Sequence, residues 1–278
     1  LGEHHDRYDH HLTQVELICR LYAQDSRLAI GIEFIQQPFQ EVLDDFVQQR
    51  IDEGTFLRRS EYFTRWGFDY RFYAPILRFA RTHAIPVVAL NVPGEITSKV
   101  ARKGIAALSD EERQWVPAQG LKADDNYRER LWRVFEAHAG ASSSEFENFL
   151  DAQILWDEGM AKRASRYLAD YDRVRLVIIA GNGHAAYRNA IAGRLETKPG
   201  DKVIIISQDQ SGESQAHYEL RATELKLRPP GRLGVLLNTT GKGVKVESFA
   251  ADSTAQNAGM KAGDLIISLD HEPTSSYE

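Results

Sequence analysis

Four short apolar runs, at residues 28–32, 86–90, 175–180 and 202–206, constrain this chain most. Each is unbroken and rich in β-branched residues, as in Arg175-Leu176-Val177-Ile178-Ile179-Ala180. A strand with one wet face alternates polar and apolar residues. An unbroken run fits a strand covered on both faces, which is the habit of parallel sheets. Leu1 reads as the stub of a fifth strand. Between the runs, apolar residues recur at helical spacing over 12–22, 39–47 and 72–79. Strand–helix alternation of this kind predicts an α/β fold with a mainly parallel sheet and flanking helices. From about 96 to 168 the strands lapse and helical patterns take over, which predicts a small helical subdomain over one end of the sheet. Within it, Ser109 and Glu112 have the spacing of a capping box. Leu227-Arg228-Pro229-Pro230-Gly231 reads as a linker. Short β runs follow at 233–237, 244–249 and 264–269, so the expected organisation is an α/β domain over 1–226, a linker over 227–231 and a partial, β-rich domain over 232–278.

Charge and cysteine content exclude several classes. There are 34 Lys+Arg against 40 Asp+Glu, a net charge of -6. A nucleic-acid coat needs a basic face, so no nucleic-acid partner is expected. The single cysteine, Cys19, rules out a disulfide framework and a cysteine zinc site. It sits among Val15, Leu17, Ile18 and Leu21, as a small core residue would. No apolar run reaches the length of a membrane span. The chain opens on Leu1-Gly2-Glu3 without Met or signal peptide, so any targeting segment is expected upstream of Leu1.

In an open parallel sheet the ligand site lies beyond the carboxyl ends of the strands. The residues that follow each run form a polar set: Glu3, His4, His5 and Asp6; then Glu33; then Asn91 and Glu95; then Gly181-Asn182-Gly183-His184. Glu33 interrupts Ala29-Ile30-Gly31-Ile32-Glu33-Phe34-Ile35. A carboxylate there must be paired, hydrogen-bonded, metal-bound or protonated. A helix cap or an arginine partner would satisfy it equally. Gly181-Asn182-Gly183-His184 joins strand to helix with glycines that allow close backbone approach, and it lacks the Lys-Ser/Thr of a phosphate loop. His4, His5, His10 and His11 crowd into eight residues without any standard zinc spacing. Of these, His5 is the expected partner of His184, while His10 and His11 could equally be surface groups. Trp66-Gly67-Phe68-Asp69-Tyr70 offers Asp69 as a helix cap and the aromatics as a core plug or the wall of a planar ligand.

Taken in order, several segments carry a resemblance: Gly2-Glu3-His4-His5-Asp6, His10-His11, Glu33-Phe34, Trp66-Gly67-Phe68-Asp69, Val88-Ala89-Leu90-Asn91-Val92-Pro93, Met160-Ala161 and Ala180-Gly181-Asn182-Gly183-His184. The stretch from Leu1 to about Ser207 resembles the ChaN-like haem-binding lipoproteins, within the wider Tiki/TraB and erythromycin-esterase-like superfamily. The resemblance implies haem binding in bacterial iron uptake rather than catalysis, with haem held between two subunits of a ligand-linked homodimer. It also implies the cell envelope as location, periplasmic or lipoprotein-anchored. A tyrosine is the iron ligand in that family, and a His and a Lys of the partner bind the propionates. Here Tyr127 is the first choice for the ligand, ahead of Tyr167 and Tyr8, with His138 and Lys122 for the propionates. A phenolate is a hard anionic ligand suited to ferric haem.

The wider superfamily also includes metal-dependent peptidases and esterases, in which the matching positions line the active centre. That makes Glu3, His5, Glu33 and His184, with Asn91, the expected polar pocket. A divalent metal with a hydrolase activity is the alternative to haem. The C-terminal part, through Leu233-Gly234-Val235-Leu236-Leu237-Asn238 and Ala258-Gly259-Met260-Lys261-Ala262-Gly263-Asp264-Leu265-Ile266, resembles a partial PDZ domain. That resemblance implies capture of a peptide C-terminus at Leu233, Gly234 and Val235.

Overall fold

Three of the four apolar runs form the heart of one parallel sheet in the computed structural model. The structure describes residues 1–118, 120–136, 143–196, 201–208, 212–229, 231–240, 243–269 and 272–274. Strands β1 (Gly2–Glu3), β2 (Leu28–Gln36), β3 (Val87–Asn91) and β4 (Arg175–Gly181) lie in the order β1-β4-β2-β3, and every pairing is parallel. All nine residues of β2 are buried, as its unbroken sequence requires of a central strand.

Side chains alternate between two cores, with the period of two that a strand imposes. Ile30, Ile32, Val87, Ala89, Val177 and Ile179 join a core built with helices α1 (Tyr8–Gln24), α2 (Gln40–Val47), α3 (Glu53–Arg59), α4 (Tyr62–Arg65) and α5 (Ala74–Thr82). Val88, Leu90 and Ala180 point the other way, onto Met160, Ala161 and Ala164. Those three residues belong to a 28-residue helix; the helical stretch comprises α6 (Gly94–Lys103), α7 (Asp125–Glu136) and this long α8 (Ser143–Asp170). Helix α8 also carries α6 through Ala152 and Leu155, and α7 through Phe146, Leu150 and Ile154. Each α8 turn thus meets the sheet, α6 or α7, and this is why the subdomain sits where it does. The Ser109–Glu112 capping box forms, with Ser109 N–H donating to Glu112 at 2.7 Å and Glu112 N–H donating to Ser109 Oγ at 3.2 Å. It opens only a short 3-10 turn, Glu112–Trp115. Asp69 caps a similar turn at Tyr70–Phe72.

The run at 202–206 departs from expectation. It does not join the main sheet; only Ile206 is in a strand, and Ile206–Ser207 pairs with Tyr218–Glu219 in a separate two-stranded sheet. The edge strand β1 is two residues long and offers no ladder along which the run could add. Val203 and Ile204 accordingly stay exposed.

The chain divides into two compact units, Leu1–Lys226 and Leu227–Glu278. In the second, Val235–Thr240, Gly243–Phe249 and Leu265–Ile266 form an antiparallel sheet with Val235–Thr240 at its edge. A short helix, Thr254–Asn257, is capped by Ser253. Among the described residues no helix is long and apolar enough to cross a membrane.

Candidate functional site

The parallel sheet delivers its strand ends to one edge. Glu3 closes β1 beside Gly181 of β4. Glu33 lies on β2 one residue past the last β2–β4 pair, Ile32 and Ile179. The Gly181 N–H donates to Glu33 Oε2 at 2.7 Å, so the backbone of one strand end fixes the carboxylate of another. A side chain at position 181 would meet the His5 ring: an added Cβ falls 2.8 Å from Cε1. Glycine there is a requirement of close approach. Helix α9 (Asn182–Ala185) follows directly and lifts His184 over the edge.

Glu3, His5, Glu33 and His184 therefore come together. One ligating atom each from Glu3, His5 and Glu33 lie within 4.8 Å of one another. His184 Nε2 is 3.8 Å from Glu33 Oε1. Both imidazoles are held the same way. His5 Nδ1 bonds Glu3 Oε1 at 2.5 Å, and His184 Nδ1 bonds Asp157 Oδ1 at 2.7 Å. A carboxylate only accepts, so Nδ1 carries the proton in each ring and Nε2 is left for the pocket. The histidines are the accessible members, with side chains 26% exposed at His5 and 13% at His184, while Glu3, Glu33 and Asp157 are buried. Trp66 and Phe68 pack against the His5 ring, and Trp156 against the His184 ring. Asn91 ends β3 at the same edge, but its register partner is Gln36, farther along β2 than Glu33.

Burial alone would lower the pKa of His184, but the neighbouring carboxylates of Asp157 and Glu33 outweigh it and push the value up to about 9. The same contest raises His5, where burial opposes the hydrogen bond that the ring donates to Glu3 and the charges of Glu3 and Glu33. His10 and His11 are buried, not surface groups, and burial lowers both. His10 Nδ1 accepts the His4 N–H, and His11 Nε2 stands 3.9 Å from Glu3 Oε2.

The residues expected around a porphyrin fall differently. Tyr127 is enclosed: it is 1% exposed, and its hydroxyl donates to Asp157 Oδ2 at 2.7 Å. Burial and the Asp157 charge push its pKa up, which disfavours the phenolate an iron ligand must be. Lys122 is exposed in the segment before α7, where its carbonyl accepts from Arg194. His138 lies outside the described residues. Tyr167 stacks on Tyr171 near the far end of α8. Tyr8, half-buried at the start of α1, packs against the Phe72 ring.

Asp157 is the functional residue that sequence reasoning missed. Its signal is a lone acid on the apolar stripe of α8, following Leu150 and Ile154 and preceding Ala161 and Ala164 at three- and four-residue spacing. An acid on such a stripe needs partners inside the protein.

Two groups can be tested against this edge. Among the described residues the buried Glu3 Oε2 has no hydrogen-bond partner, and with two imidazole Nε2 atoms and Glu33 it makes a mixed N/O donor set that suits a divalent cation. The two partly open imidazoles between Trp66, Phe68 and Trp156 equally suit a flat aromatic ligand with a metal centre.

The comparison with the ChaN structure agrees with the fold. The family described as "Haem-binding uptake, Tiki superfamily, ChaN" matches residues 1–195. The structure "Cofacial heme binding to ChaN of Campylobacter jejuni" is similar at TM-score 0.59 and 14% identity, over 74% of this chain and 78% of that one. An erythromycin esterase structure, "EreC H289N in its open conformation", aligns at TM-score 0.41 and 13% identity, over 71% of this chain and 65% of that one. "Protein RETICULATA-RELATED 5, chloroplastic" of Arabidopsis thaliana is 27% identical over 103 residues, 36% of this chain; the chain spans 14% of that relative's length. The match over residues 1–195 covers most of the α/β unit and the whole set of strand ends described above: the chain belongs to the haem-binding uptake family of the Tiki superfamily typified by ChaN.

Proposed function

We propose that this protein binds haem between two copies of itself, with tyrosine ligation of the iron, in bacterial iron uptake at the cell envelope. Family membership supports haem as the ligand. The observation that carries the reading at the site is the pair of partly open imidazoles, His5 and His184, set among Trp66, Phe68 and Trp156. Haem bound there supplies a ferric centre that an accessible hard donor can ligate. Of the tyrosines weighed from sequence, Tyr8 is assigned that role, because it is partly open and stands three residues after His5, whereas Tyr127 is enclosed. Haem held there would lie between the His5–His184 edge of one copy and that of a second. The expected result of a hemin titration is a Soret band together with a doubling of mass. Tyr8→Phe weakens hemin binding, and Tyr127→Phe keeps the band. A monomer with no Soret band defeats the reading.

A second reading has its own observation, the orphaned Glu3 Oε2 beside His5, Glu33 and His184. A divalent cation held by these four residues supplies a polarised water for hydrolysis. Glu33 keeps Oε2 on the Gly181 amide, which leaves Oε1 for the cation, and His184 Nε2 at 3.8 Å from it is the further nitrogen donor. Metal-dependent turnover without haem would favour this reading.

For the C-terminal unit we propose capture of a peptide terminus. Val235–Thr240 is an edge strand open to addition of another, and Gly234 at φ +70 turns the chain into it after Leu233. Fluorescent peptides with a free C-terminal carboxylate should bind, and Val235→Pro, which removes a backbone donor, should lose them. Equal binding of amidated peptides defeats the assignment.

A further inference from the structure

The buried face of α7 does more than pack. Asp157 is fully buried on α8, and both of its oxygens are used. Oδ1 meets His184 Nδ1 and Oδ2 accepts the Tyr127 hydroxyl, each at 2.7 Å. Tyr127 is itself fixed at the start of α7, where its N–H donates to Asp124 Oδ1 at 2.7 Å. One turn further on, Arg130 lies over the rings of Tyr127 and Tyr187 and donates to the carbonyl of Gly183, the residue before His184. The subdomain therefore grips both the imidazole and the turn that carries it.

We infer that Asp157 and Tyr127 are positioning residues for His184, the carboxylate selecting the tautomer with Nδ1 protonated and the phenol fixing the carboxylate, so that Nε2 faces the pocket. The inference rests on His184 being a pocket residue, which both functional readings share. The geometry excludes the opposite tautomer: an unprotonated Nδ1 would set its lone pair against a carboxylate oxygen in a dry site. The phenol settles which oxygen is free. With Oδ2 taken by Tyr127, only Oδ1 remains for the ring.

The test is Asp157→Asn, read first in the metal-free, haem-free protein. The amide oxygen takes the Tyr127 hydroxyl, so the amide N–H2 faces the ring and the proton moves to Nε2. Side-chain nitrogen NMR of the neutral ring, recorded above the value of about 9, should show Nδ1–H in the parent protein and Nε2–H in the variant. Zinc titration should then show affinity lower by ~10–100-fold, the usual cost of a lost orienting partner. Tyr127→Phe covers the case in which Asp157→Asn does not fold. It should split or broaden the His184 signals and weaken zinc by roughly three- to tenfold, the scale of one buried hydrogen bond. A single Nδ1–H pattern in whichever variants fold would overturn the inference, whether or not zinc or hemin binds.

Discussion

Glu33→Gln should weaken zinc binding by at least roughly a hundredfold, more than the loss of a group acting through a ligand, while leaving the protein folded. The asymmetry of the carboxylate explains both halves. Oε2 accepts the Gly181 amide at 2.7 Å. A glutamine oxygen can keep that bond, so the junction of β2 and β4 survives. The amide N–H2 then occupies the place of Oε1, 3.8 Å from His184 Nε2 and within the cluster that includes Glu3 and His5. A donor replaces an acceptor where a cation would be held, and one negative charge is lost from the donor set. The measurement is calorimetric titration with zinc at neutral pH. Glu95→Gln serves as control, since that carboxylate is exposed and pairs with Arg65. Unchanged zinc affinity in Glu33→Gln would remove the cation reading and leave the haem reading untouched, because the hemin titration does not depend on Glu33.

What was legible in the sequence followed from rules that act locally and then converge. Unbroken apolar runs meant a parallel sheet, and a parallel sheet sends its strand ends to one edge. Glu3, Glu33 and His184 could thus be placed together across 181 positions of sequence without knowing any contact. The failures have a shared cause. The run at 202–206 has strand propensity, yet a strand needs a neighbour with free backbone groups, and two-residue β1 offers almost none. The Ser109–Glu112 box has the right chemistry to start a helix, but a cap does not supply the apolar stripe that would prolong it. Asp157 went unnoticed because its neighbours along the chain describe an ordinary packed helix; its partners, Tyr127 and His184, lie 30 and 27 residues away. Tyr127 looked available for the same reason in reverse, since only the packing of α7 on α8 turns it inward.

The stability of the metal-free protein should peak near pH 6.5 and fall towards pH 9. The folded-state pKa of His184 is raised from 6.5 to about 9. Below 6.5 the ring is charged in both states, so its bond to Asp157 and its attraction to Glu33 contribute in full. Between 6.5 and about 9 only the folded state holds the proton, and stability declines with each pH step; above that the contribution is gone. The shift corresponds to about 3 kcal/mol, a sizeable part of a domain's total. His5, also raised, acts in the same sense. On the acid side the order reverses. His10 and His11 are lowered by burial, so below 6.5 the unfolded chain takes up protons that the folded protein refuses, and stability falls again. Urea midpoints measured from pH 5 to 10 should trace this dome. His184→Asn, whose side-chain N–H2 can still donate to Asp157 but does not titrate, should make the alkaline limb shallower, leaving only the part due to His5, and keep the acid limb in place. An alkaline limb equally steep in His184→Asn would mean that His184 does not hold its extra proton, and with it the carboxylate–imidazole–carboxylate arrangement at the centre of the site would have to be abandoned.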